Sequence, residues 1–242
     1  MAHTRPDYTT SSKMETIYGE VDNGELAART GGMSFLDRRG NVMFMDDFST
    51  TTNNYYRSGV GAASAMVISA DYFISNDSCM KITAGPGATN YTNVWRYHPS
   101  PRNTKLGVEV RYLIDSDDSF VLIGISGYTG AVQYDAWIQY DTGTNNISYY
   151  DEIGNYVLIG NAVHDLEVFN YWSFFKVVID WSTKCYVRAI VGGVEYPLPN
   201  IPFYHRASVN DPVIATLMHL TVNGATTTNL YADNLILTQN EP

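Results

Sequence analysis

From Phe44 onward the chain is a succession of short apolar runs cut by turn residues about every 8–15 positions, with no helical period between them. A chain with that rhythm pairs its strands through hairpins, because parallel strands need long crossover segments that are missing here. Strands are predicted at 42–45, 65–69, 79–84, 92–97, 107–114, 120–125, 134–140, 147–150, 156–159, 172–180, 185–191, 214–222 and 229–237. Within Gly107-Val108-Glu109-Val110-Arg111-Tyr112 the valines take one face and the charged side chains the other. Gly85-Pro86-Gly87, Asp115-Ser116-Asp117-Asp118, Thr142-Gly143-Thr144-Asn145-Asn146, Gly192-Gly193 and Asn223-Gly224 supply the turns. The expectation is an all-β protein, an antiparallel two-sheet jelly-roll sandwich.

Charge divides the chain near residue 43. Residues 1–43 carry 5 basic and 6 acidic side chains, whereas 44–242 carry 10 basic and 19 acidic, so −9 of the net −10 belongs to the second part. The first part is an extended N-terminal arm that is polar and has no core of its own. It holds one short helix over 22–29, with Asp22 or Asn23 as the cap, Glu25 in the first turn, Arg29 in the last and Gly31-Gly32 as the stop. Two domains are therefore expected, the arm at 1–43 and the sandwich at 44–242. An acidic sandwich argues against nucleic acid and against a membrane surface, since both demand clustered Lys and Arg. The N-terminus shows no apolar signal-peptide core, and Cys79 and Cys185 lack metal-ligand spacing.

Three segments carry a family resemblance: Met45-Asp46-Asp47-Phe48-Ser49, the Trp-led hairpin from Trp172 through Asp180 to Cys185 and Gly192-Gly193, and the closing run Tyr231-Ala232-Asp233-Asn234-Leu235. Together they resemble the concanavalin A-like (laminin-G-like) jelly-roll domains. Separately, Glu25–Arg29, Phe35–Val42 and the run into Met45–Phe48 resemble uncharacterised phage-encoded virion structural proteins, in which an arm precedes a jelly roll. That second likeness brings no catalytic residue with it.

Laminarinase-type glycosidases on this fold carry Glu-x-Asp-x-x-Glu on an inner strand. The literal match here, Glu20-Val21-Asp22-Asn23-Gly24-Glu25, lies in the arm, where Asn23-Gly24 would break a strand. Asp151 and Glu152 are adjacent and would point to opposite faces. The expectation is accordingly no catalytic residue and no enzyme.

Three further sets are candidates. Asp46, Asp47 and Asp233, on neighbouring terminal strands, could clip a structural calcium, the sole cofactor expected; the acidic turn Asp115, Asp117, Asp118 is a second place for it. Trp95, Trp137, Tyr140, Tyr149 and Tyr150 supply rings for a glycan or a protein interface, with alternation putting Trp137 and Gln139 opposite Ala136, Ile138 and Tyr140. Leu26, Arg29, Phe35, Arg38 and Arg39 would dock the arm on a partner subunit.

The expected function is a non-enzymatic structural or decoration protein of a virion or extracellular assembly, bound to subunits of that assembly and self-associating as a homo-oligomer. The alternatives are a carbohydrate-binding lectin-like module and, more weakly, a polysaccharide-active enzyme.

Overall fold

The computed structural model describes residues 39–49, 54–74, 77–100, 104–162 and 172–242. These residues form two antiparallel sheets and contain no helix. The back sheet runs β13 (Val194–Pro197), β12 (Cys185–Val191), β11 (Ser173–Asp180), β6 (Lys105–Ile114), β16 (Thr228–Gln239), β4 (Cys79–Ala84) and β3 (Ala65–Ser69), and β1 (Asn41–Asp46) pairs with the second half of β16. The front sheet runs β10 (Tyr156–Asn161), β9 (Asn146–Tyr150), β8 (Val132–Asp141), β7 (Ser119–Tyr128), β15 (Val213–Val222), β5 (Tyr91–Pro99) and β2 (Tyr56–Val60), and β14 (Tyr204–Ala207) continues the β9 edge of β8.

The central strands of both sheets form because their alternate residues have somewhere apolar to go. Val108, Val110 and Tyr112 of β6, Phe175, Val177 and Ile179 of β11, Val121, Ile123 and Ile125 of β7, and Ala136, Ile138 and Tyr140 of β8 fill one core between the sheets. Full burial of one such aliphatic side chain contributes about 1.5–3 kcal/mol. Tyr186 bridges the layers: its hydroxyl shares its one proton between the carbonyls of Tyr150 at 2.9 Å and Trp137 at 3.1 Å and accepts from the Trp137 amide at 2.8 Å. A strand of the back sheet thus fixes the height of β8 and β9.

The predicted strands are all present, and three more join them. β2, β13 and β14 are short, lie at or near sheet edges and are largely exposed, so they lack the alternating apolar signal that marks the others. β1 begins at Asn41, so the last residues assigned to the arm belong to the sheet. The predicted helix at 22–29 and the rest of residues 1–38 lie outside the described residues.

The outward face of the back sheet buries charge. Lys176 Nζ lies 2.8 Å from Glu241 Oε1 and 3.7 Å from Glu109 Oε2, and Arg188 Nη2 lies 2.6 Å from Glu241 Oε2. Arg39 sits at the rim of the same face, with its guanidinium on Glu195 at 2.6 Å and its carbonyl accepting from Lys176 at 3.4 Å.

Candidate functional site

The outward face of the front sheet is built from the residues that the core leaves over. Register places Tyr56 opposite Trp95, Trp95 opposite Leu217, Leu217 opposite Gly124, and Gly124 opposite Trp137. Beyond β8, Tyr150 stacks on Trp137 with centroids 5.0 Å apart and planes 12° apart, and Tyr156 pairs with Tyr150. One row of six large side chains and one glycine therefore crosses seven strands. The next row reads Tyr97, Ala215, Ser126, Asp135 and Tyr204, and beside it stand Tyr128, Gln133 and Arg206.

Gly124 is required at its position. A Cβ there would lie 2.8 Å from Trp137 Cδ1 and 2.2 Å from the Ala136 carbonyl oxygen. With no side chain on β7, the Trp137 indole leans over the strand, while its other face is covered by Tyr150. Tyr150 also meets Tyr156 at 5.0 Å and Tyr204 at 4.9 Å, so four rings form one cluster. Gly154, at φ +90°, lets the turn between β9 and β10 close against Tyr204 and the Tyr150 hydroxyl.

Beneath the rings lies a polar relay. Trp137 Nε1 donates to Ser126 Oγ at 3.1 Å, Ser126 Oγ donates to Asp135 Oδ1 at 2.6 Å, and Gln133 Nε2 donates to the same carboxylate at 2.8 Å. Asp135 is 0% exposed. Burial raises its carboxyl above the usual carboxylate range, although Gln133, Ser126 and the Arg206 charge pull the other way. Nothing in solution can touch this carboxylate, so it is a positioning residue that fixes Trp137 through Ser126. The groups of the cluster within reach of a ligand include the half-buried phenols of Tyr128, Tyr150 and Tyr204, the exposed ring of Tyr156 and the exposed guanidinium of Arg206. Burial, with neighbouring phenols and Asp135, raises the phenols of Tyr128 and Tyr150, and the Arg206 charge offsets only part of this.

Of the sequence-predicted rings, Trp95, Trp137 and Tyr150 share this face. Tyr140 is buried in the core with its hydroxyl on Asn145, and Tyr149 turns inward against Tyr186. Asp46 also turns inward: it accepts from the Phe48 amide and the Tyr55 hydroxyl and lies 3.7 Å from Arg96, and burial raises its carboxyl. Asp47 caps Ser49, Asp233 accepts from the Ile74 amide, and Asp115 binds Asn229. Among the described residues no three His, Cys, Asp or Glu side chains are grouped to hold a metal ion. Of the predicted docking residues, Leu26, Arg29, Phe35 and Arg38 lie outside the described residues, and Arg39 contacts its own sandwich. Sequence reasoning missed Tyr56, Tyr204 and Asp135, since only strand register brings them to one face.

No protein-family model matches the chain, and no curated protein sequence matches it. Solved structures do. An endo-β-1,4-glucuronan lyase from the fungus Trichoderma reesei aligns over 82% of this chain and 95% of its own at 14% identity, with a TM-score of 0.55. A family 16 glycoside hydrolase of a Bacteroides ovatus mixed-linkage glucan locus covers 81% and 100% at 12% identity and TM-score 0.52. A carbohydrate esterase of the Shiga toxin-encoding bacteriophage phi24B covers 84% and 100% at 13% identity and TM-score 0.54. The fold is the concanavalin A-like jelly roll. These likenesses correct the expectation of a non-enzymatic decoration protein: the neighbours are mostly enzymes that degrade polysaccharides, including further glucanases. The position of the Glu20–Glu25 motif outside the strands does not argue against every enzyme, since other side chains can do such chemistry.

Proposed function

We propose that this chain is a polysaccharide-active enzyme that holds its substrate across the outward face of the front sheet and cleaves it by elimination at a uronic acid. The aromatic row above a locked Trp137 is the observation that carries the substrate class. Sugars present CH faces that stack on rings, and a ring held by the Ser126–Asp135 relay costs little entropy to use.

The reaction class follows from which groups are reachable. Both hydrolytic mechanisms need two carboxylates about 5–9.5 Å apart across the scissile bond. Among the described residues near the rings, Asp135 is sealed beneath them, Asp141 lies six positions further along β8, about 20 Å away at the rise of a strand, and Asp151, which follows Tyr150 with Glu152 beside it, accepts from the Ile153 and Asn155 amides of its own turn. Phenols and one guanidinium remain. Arg206 would hold the uronate carboxylate and stabilise the charge that develops when the C5 proton leaves. A phenolate takes that proton, a C4–C5 double bond forms, the C4–oxygen bond breaks, and the departing oxygen leaves with the proton from the same phenol. Tyr128 stands in one register row with Gln133 and Arg206, and Tyr150 meets Tyr204, two positions before Arg206 on β14, so one of these two phenols carries the proton. The fold accommodates such a substrate, as the glucuronan lyase neighbour illustrates.

The test is a panel of polyglucuronate and neutral β-glucan, followed by ultraviolet absorbance of the unsaturated chain end and by reducing ends. Absorbance from polyglucuronate that rises with pH and disappears in Arg206→Ala and in either Tyr128→Phe or Tyr150→Phe is expected. Reducing ends from neutral β-glucan without absorbance would overturn elimination, and no product from any polymer would overturn the enzyme.

A further inference from the structure

At the opposite end of the aromatic row, two tyrosines stand exposed among the described residues. Tyr56 of β2 is 57% exposed and Tyr97 of β5 is 41% exposed, and their rings meet edge-on with centroids 5.2 Å apart. Exposing two adjacent large rings on an edge strand invites association, so their retention calls for an occupant. Trp95 lies in register with Tyr56, and its indole Nε1 is buried without a hydrogen-bond partner.

We infer that Tyr56 and Tyr97 form a distal subsite that grips the same polysaccharide several sugar units from the reacting bond. This rests on the polysaccharide reading above. What points to that occupant is continuity: Tyr56, Trp95, Leu217, Gly124 and Trp137 lie in one register line across the front sheet. From β8 to β2 there are four strand spacings, about 19 Å, and an extended pyranose repeat of about 5 Å gives one sugar for each strand crossed. A chain seated on Trp137 therefore reaches Tyr56 and Tyr97 about four units away. The centre between them is low, with Ala215 and Leu217 buried, so the chain touches rings at both ends and spans a shallow middle.

Binding energy at a remote subsite serves only substrates long enough to reach it. The experiment compares wild type, the double variant Tyr56→Ala/Tyr97→Ala, the double variant Tyr56→Phe/Tyr97→Phe and Trp137→Ala on polyglucuronate oligomers of increasing length, with KM from cleavage and Kd from titration calorimetry. In the alanine double variant KM and Kd should rise about tenfold for long oligomers, as two lost ring stacks imply, and stay at wild-type values for short ones. The phenylalanine pair should restore wild-type behaviour, because rings and not hydroxyls do the work, while Trp137→Ala should weaken every length. If wild type binds and the alanine pair matches it at every length, the distal subsite is overturned and the polysaccharide reading stands. If wild type binds no oligomer of any length, both are overturned.

Discussion

Asp135 shows how a side chain that no ligand reaches can still govern a site. Its carboxylate is held by Ser126 and Gln133, and Ser126 in turn receives the Trp137 indole, so the ring is oriented before substrate arrives. Asp135→Asn keeps the shape but replaces one acceptor with a donor that opposes these bonds. The expected result is a KM several-fold higher with kcat and melting temperature nearly unchanged; an unaltered KM would show that the relay does not position the ring. Two histidines make stability depend on pH. Burial lowers His98, which faces Thr216, to about 4, and likewise lowers His219, which lies between Asn93 and Thr221, to about 4. Both are lowered below their unfolded value of about 6.5, so the unfolded chain binds the extra protons between these limits. Their contribution is complete above about pH 6.5 and is lost as pH falls toward 4. Asp46 and Asp135, whose carboxyls are raised, act in the opposite direction at the acid end of that window. Melting temperature should therefore decline from pH 6.5 to 4.5, and His98→Gln should flatten that decline; an equal slope in the variant would contradict it.

At the scale of the element, β8 was the most legible strand, because strict alternation put Trp137 on one face and Tyr140 on the other, as found. The strands that complete the aromatic row were not legible. β2 and β14 are four or five residues long and exposed on both faces, so neither periodicity nor apolar content marks them. Their membership of the sheet comes from pairing with β5 and β8, a contact across the chain that sequence spacing does not encode. The same limit hid the meeting of Lys176, Arg188 and Glu241, each unremarkable alone. In that cluster Glu241 serves two buried cations, and Thr238 also donates to it. Glu241→Gln should lower unfolding free energy by about 3 kcal/mol, read from the urea midpoint, because it strips both cations of a shared anion. A shift below about 0.5 kcal/mol would mean that the cluster contributes nothing beyond a surface ion pair.

Across the whole molecule, the two faces of the sandwich have different tasks. The back sheet buries charge on its outward face, and the front sheet presents rings on its own. The sandwich class could be read from strand spacing and turn chemistry, because these are local. A function could not, because a jelly roll hosts many functions and the side chains of the candidate site come from four separate strands, β7, β8, β9 and β14. The motif expected of a fold like this is absent from the front sheet, and what stands in its place is a cation among phenols over a fixed indole. The proposed elimination is distinguishable from hydrolysis in its products, since a hydrolase adds water across the bond it breaks and an eliminating enzyme does not. Mass spectrometry of the products formed from polyglucuronate reads this directly. The account predicts fragments whose new non-reducing end is one water lighter than a hydrolytic end, in wild type and not in Arg206→Ala. Fragments carrying the added water, or intact polymer after prolonged incubation, would contradict it.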